Sequence, residues 1–134
     1  WRATWKRQDW IQKAPLWRKI MEKTIFQKII DREIKADIIF ENGNIIAFND
    51  VNPVAPIHIL IVPKKLIESI NSIKEEDSRL IGEMFLVAKE LAKKLKIDES
   101  GYRTVFNTND DGGQTVYHIH LHLIGGRKLD WPPG

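Results

Sequence analysis

The chain has 134 residues, the length of one domain, with 43% apolar and 29% charged side chains. That balance supports a real core and excludes a wholly disordered or fibrous chain. The formal charge is only +3, and there is no cysteine. A disulfide framework, a thiolate zinc site and a cysteine nucleophile are therefore excluded, and a cytoplasmic setting is expected. The longest near-apolar run, Ile57–Pro63, is far too short for a helix that spans a bilayer.

Charge divides the chain. Residues 1–23 carry seven Lys/Arg against two acids, a net of +5, and the remainder carries 14 against 16, a net of −2. Four of the five tryptophans, Trp1, Trp5, Trp10 and Trp17, lie in the basic segment. Two units are expected: a basic, Trp-rich N-terminal extension over 1–23 and a globular domain over 24–134. Within the extension, Trp10, Ala14, Trp17 and Met21 fall at helical spacing around Pro15. An arm that packs its indoles on the body, a remnant that targets an organelle, and a patch for membrane or nucleic acid all fit this composition.

In the body, Ile25, Phe26, Ile29 and Ile30 suit a short helix. Ile38–Phe40 and Ile45–Phe48 read as strands around an Asn42-Gly43 turn, a hairpin signal. Asp50–Pro56 is a loop, and His58–Val62 is a third strand ended by Pro63. A short helix is expected within Leu66–Ile73. A long one is expected over Glu76–Lys96, with acids at its start and lysines at its end. Arg103–Asn107 reads as the fourth strand, Thr108–Gly113 as a polar loop, and Tyr117–Ile124 as the fifth strand. The fold class is α+β, on a mostly antiparallel sheet of five strands with two main helices.

Three of the four histidines stand in His118-Ile119-His120-Leu121-His122-Leu123. Strand side chains alternate, so the imidazoles share one face and the aliphatic residues the other. That face reads as the wall of a site. Two chemistries compete. A His-x-His pair joined by His58 can chelate a metal. Alternatively, a neutral imidazole attacks phosphorus while its neighbours hold oxygens and move protons. The preceding Asp111-Gly112-Gly113-Gln114-Thr115 supports phosphate chemistry, because glycine lets backbone N–H groups turn inward around an anion.

The His-φ-His-φ-His-φ-φ pattern over His118–Ile124 resembles the signature of the histidine triad superfamily. Thr24–Ile30, Ala55–Lys65, Asp111–Tyr117 and the ending Gly125–Gly134, with its Trp-Pro-Pro-Gly terminus, are similar to its nucleotide-binding branch. The likeness covers 24–134. It implies a homodimer in which two five-stranded sheets join into one of ten strands. It also implies a purine nucleoside phosphoramidase acting on adenosine 5′-phosphoramidate or AMP-lysine-type substrates, with no metal or other cofactor and with AMP or GMP as ligands. No nucleic acid partner is expected.

By match to the motif, His120 is the nucleophile that becomes a nucleotidyl-histidine. His122 binds the phosphate and positions His120. His118 contacts the phosphate, and His58 completes the imidazole network. Asp50 binds the ribose hydroxyls, or else caps the turn before Pro53. Asn107, Gly113, Thr115 and the Val116 N–H hold the phosphate, and Thr115, a serine in many relatives, keeps a hydroxyl for the leaving amine. Ile25, Phe26, Ile29, Phe48 and Leu60 form the base pocket, though Phe26, Phe48 and Leu60 also suit plain core. Trp131 reaches the partner's site and helps select the amine. The alternatives are a dinucleoside polyphosphate hydrolase of the fragile-histidine-triad branch, against which the Trp-Pro-Pro-Gly ending argues, a purine nucleotide-binding scaffold without catalysis, and a metal-dependent sheet enzyme.

Overall fold

A computed structural model describes residues 23–134. The helix read in the N-terminal extension lies outside the described residues. Among these residues, no helix is long and apolar enough to cross a membrane.

Three helices and five strands follow in chain order: α1 (Ile25–Ile30), β1 (Ile38–Glu41), β2 (Ile45–Asn49), β3 (Ile57–Pro63), α2 (Ser78–Lys94), β4 (Tyr102–Val105), α3 (Asn109–Gly112) and β5 (Leu121–Gly125). The strands form one antiparallel sheet in the order β1-β2-β3-β5-β4. The α+β class and the five-stranded sheet are as expected. The β1–β2 hairpin turns where Asn42 and Gly43 predict, and Asn42 Oδ1 accepts the N–H groups of Asn44 and Ile45, each at 2.8 Å.

The two sheet faces carry separate cores. On one, Ile45, Ala47, Ile59, Ile61, Leu121 and Leu123 pack under Met84, Val87, Ala88 and Leu91 of α2. On the other, Ile46, Phe48, Leu60 and Val62 pack against Phe26 and Ile29 of α1. His122 stands opposite Leu60 and His58 opposite Ile124. Paired residues of an antiparallel ladder share a face, so both imidazoles lie on the α1 side.

Five local expectations need correction. Only Ile70–Ser72 turns as a 3-10 helix within Leu66–Ile73. The long helix begins at Ser78, because Glu75–Asp77 forms a 3-10 turn closed by the Asp77 carboxylate on the Lys74 N–H at 3.0 Å. It stops by Leu95, before Lys96 takes a left-handed φ of 59°. The Thr108–Gly113 loop contains the single turn α3, and β4 ends at Val105 rather than Asn107.

Most consequential, β5 begins at Leu121, not Tyr117. The antiparallel register would bring Pro63 opposite Ile119, and proline has no N–H to give a ladder. Ile119 instead donates its N–H to the Ile67 carbonyl at 2.7 Å. His118 and His120 thus lie on the approach to the strand, and only His122 lies within it.

Candidate active site

Burial dominates the histidines: His118 is fully buried, while His120 and His58 are 7% and 5% exposed. Each polar atom there needs a partner, and the partners fix the proton positions. The Val54 N–H donates to His58 Nδ1 at 3.1 Å. The proton of a neutral His58 ring is then on Nε2, which donates to His122 Nδ1 at 2.9 Å. His122 in turn carries its own proton on Nε2. That atom is buried and has no partner among the described residues. The chain from Val54 through His58 ends in one unsatisfied donor.

His120 is set the opposite way. Its Nδ1–H donates to the His118 carbonyl at 2.8 Å, leaving a lone pair on Nε2. Its ring lies 4.9 Å from that of His122 and 4.9 Å, edge-on, from that of Phe26. A nucleophile-type nitrogen and an orphaned donor therefore stand on neighbouring rings.

The phosphate contact expected of His118 is not available. Its Nε2–H donates to the Pro63 carbonyl at 2.7 Å, and its Nδ1 faces the Thr24 hydroxyl at 3.4 Å. It stands behind the His120 ring, which bonds to its carbonyl.

Burial pushes all four imidazoles below the ordinary histidine value of 6.5. His122 falls to about 4, because burial is reinforced by the neighbouring His120 and His58 rings. The rings are neutral at pH 7. As pH falls, the unfolded chain takes up protons before the folded one, so stability present above pH 6.5 is lost toward pH 4. His122 alone accounts for on the order of 3 kcal/mol of that loss. The lowered carboxyls Asp77 and Glu41, each held down first by a lysine partner, add their loss below about pH 4.5. The thermal midpoint should hold near pH 7 and fall steadily from pH 6.5 to 4.5. A midpoint that rises over that interval in a calorimetric series would contradict this burial.

Asp50, His58 and His122 are close enough to face one cation. The donor set does not suit one. The Val54 N–H occupies His58 Nδ1, so the nitrogen that would ligate already bears the proton. Asp50 itself does two things. Its Oδ1 accepts the Asn52 N–H at 2.9 Å, as the turn-cap reading requires. Its Oδ2 lies 3.4 Å from His58 Nε2 and has no turn contact, so it is open to a ligand.

Phe26, Ile29, Phe48 and Leu60 come together in one buried cluster, with Phe26 edge-on to Phe48 at 5.5 Å. Ile25, the first residue of α1, is half exposed and is not among the residues packed against that cluster. Val116 is packed against the same cluster, and Thr115 is exposed just ahead of it. Gly113 takes a left-handed φ of 84° and ends α3, which explains a glycine there. Its N–H is not free for an anion: it donates to the Asp110 carbonyl, and the Gln114 N–H donates to the Asn109 carbonyl, both at 3.0 Å. Any backbone cradle is left to Thr115 and Val116.

Gln114 is the residue that sequence reasoning missed. It is 5% exposed, and its amide donates to the Glu68 and Val116 carbonyls at 2.7 and 3.0 Å. Its Oε1 accepts the Asn109 N–H at 2.9 Å. A long amide inside a run of turn residues was the available signal.

Asn107 and Trp131 line a cleft of about 700 Å³ along β4, together with Val54, Arg103 and Arg127. Trp131 is 82% exposed. Arg127 anchors this side by donating to the Val54 carbonyl at 2.9 Å.

Residues 31–129 match the HIT domain family. The chain is 50% identical over 108 residues to the purine nucleoside phosphoramidase of Escherichia coli, covering 81% of this chain and 91% of that protein. It is 52% identical over 113 residues to an uncharacterised HIT-like protein of Synechococcus elongatus, covering 84% and 98%. Among solved structures, a HIT family hydrolase from Legionella pneumophila superposes with a TM-score of 0.82 at 52% identity, covering 84% of this chain and all of that one. A histidine triad protein from Clostridium difficile gives 0.78 at 40% identity, covering 82% and 97%.

Proposed function

Because the chain belongs to the HIT domain family, we propose that it is a hydrolase that cleaves the P–N bond of purine nucleoside phosphoramidates, of the adenosine 5′-phosphoramidate or AMP-lysine type. The observation that carries this reading is the pairing of opposite tautomers: an Nε2 lone pair on His120 beside an unpartnered Nε2–H on His122. The E. coli relative named a purine nucleoside phosphoramidase supports it.

His120 Nε2 attacks phosphorus, and the P–N bond breaks as the N–P bond to histidine forms. The departing amine takes a proton, with the Thr115 hydroxyl as its near donor. His122 donates to a non-bridging oxygen, a bond that strengthens as charge gathers there. His122 keeps its Nε2 proton throughout: the His58 Nε2–H donated to its Nδ1 fixes that tautomer, and both rings stay neutral. Water then cleaves the nucleotidyl-His120: its oxygen bonds to phosphorus, its proton restores the Thr115 hydroxyl, and the nucleoside monophosphate leaves with the imidazole regenerated. The Val116 N–H and Asn107 hold the remaining oxygens. Asp50 Oδ2 accepts from the ribose hydroxyls, and the base lies on Ile25, Phe26 and Ile29 over Phe48 and Leu60.

The outer edge of β4, the last strand of the sheet among the described residues, and the cleft beside it are the surfaces through which two chains would join their sheets, bringing Trp131 toward the leaving amine of the partner. A sedimentation mass of one chain at micromolar concentration would oppose that arrangement.

The reading is tested with a substrate panel. Adenosine 5′-phosphoramidate and an AMP-lysine analogue should turn over much faster than a diadenosine polyphosphate. Preference for the polyphosphate would move the protein to the other hydrolase class. Nucleotide binding with no turnover of either would make it a scaffold.

A further inference from the structure

We propose that Thr24 is a positioning residue: its hydroxyl ties the first turn of the nucleoside-pocket helix to His118, whose carbonyl orients the nucleophilic ring of His120. The inference rests on the phosphoramidase reading for the identity of the nucleophile.

Thr24 is the N-cap of α1. Its hydroxyl oxygen accepts the Gln27 N–H at 3.1 Å, and its own N–H donates to Gln27 Oε1 at 3.0 Å, forming a capping box. A hydroxyl has one hydrogen besides its lone pairs. The cap uses a lone pair, so the hydrogen is free to be donated to His118 Nδ1 at 3.4 Å, 94 residues away in sequence. The match of roles is enforced from the far side of the ring. Pro63 offers only a carbonyl, so His118 must be protonated at Nε2 and must accept at Nδ1. With the ring fully buried, no water can take the place of the hydroxyl.

The two contacts fix the rotation of His118 about its side-chain bonds. The carbonyl of the same residue receives His120 Nδ1–H, which is the bond that leaves the lone pair on His120 Nε2. Phe26, two residues after Thr24, touches the site independently, with its ring edge-on to His120 at 4.9 Å and to His118 at 6.3 Å. One helical turn that meets the nucleoside thus also meets both rings behind the reaction. Seating of the base and alignment of the nucleophile become a single mechanical event.

Three variants of the full chain separate this role from capping. Thr24→Ser keeps both the cap and the donor. Thr24→Asp keeps the cap, since a carboxylate accepts the Gln27 N–H, but has no hydrogen for His118. Thr24→Val removes both. The readouts are the thermal midpoint, kcat and KM on adenosine 5′-phosphoramidate, and imidazole ring-nitrogen NMR of the substrate-free protein. The unsubstituted protein should show His118 protonated at Nε2 only, and serine should preserve that signature and the turnover. Aspartate should keep the midpoint and KM, lower kcat by about 3–10-fold, the worth of one hydrogen bond, and place a proton on His118 Nδ1. A Thr24→Asp protein with unaltered His118 signals and full kcat would overturn the proposal and leave Thr24 as a cap alone. If the unsubstituted protein fails to cleave the phosphoramidate, the phosphoramidase reading falls. The ring-nitrogen signals still decide whether Thr24 holds His118.

Discussion

His120→Ala should lose turnover of a phosphoramidate by on the order of 10^4-fold or more while still binding AMP. The loss follows from removing the only imidazole of the triad whose Nε2 keeps its lone pair. Binding should survive, because the base cluster, Asp50 and the loop before the triad stand on other elements. Folding should survive too, since the ring makes one hydrogen bond, to a carbonyl at its own end of the chain segment. The check is steady-state kinetics together with AMP titration. Acid-quenched mass spectrometry should find a nucleotidyl adduct at residue 120 in the unsubstituted protein and none in the variant. Turnover by His120→Ala within tenfold of normal would remove His120 from the nucleophile's role.

Gln114→Leu should cut kcat/KM by roughly 10–100-fold and destabilise the fold by about 3 kcal/mol, one net hydrogen bond for each of three lost. Leucine fills much of the same space but leaves the Glu68 and Val116 carbonyls and the Asn109 N–H without their part-buried partner. The kinetic loss comes from position. Gln114 immediately precedes Thr115 and Val116, and its amide is what fastens their loop to the segment before α2. Thermal midpoint and kinetics measured on the same sample provide the test. A variant that melts early yet retains full kcat/KM would show that the loop is shaped without Gln114.

Much of this molecule could be read from its sequence, wherever one local signal decided the outcome. The Asn42-Gly43 turn, the strand before Pro63 and the amphipathic α2 each announce themselves through a turn preference, a proline stop or a 3.6-residue period. The grouping of His58 with His122 also followed, because alternation fixes a face once strands are paired. The failures share a cause: they depend on partners distant in sequence. Alternation in His118–Leu123 suggested a longer strand, but Pro63, more than fifty residues upstream, ends the available ladder. The Gly112-Gly113 turn suggested N–H groups turned inward around an anion, but α3 consumes those of Gly113 and Gln114. His118 looked like a ligand-contacting twin of His120 until Thr24 and Pro63 closed its ring from both sides. Gln114 gave no periodic or motif signal, since its value lies in three acceptors and donors that only the folded chain brings within reach.

The break between the triad's approach and β5 separates two kinds of thermal failure. The sheet is zipped by five consecutive β3–β5 pairings. The stretch through His118, Ile119 and His120 is fastened instead by isolated bonds to Ile67, Pro63 and Thr24. Such a segment can open as its own small unit at a free energy below that of global unfolding. On heating, then, the catalyst would be disassembled while the sheet's circular dichroism still reads native, and amide exchange at Ile119 would outrun that at Leu123. Inactivation should then come at a lower temperature than unfolding.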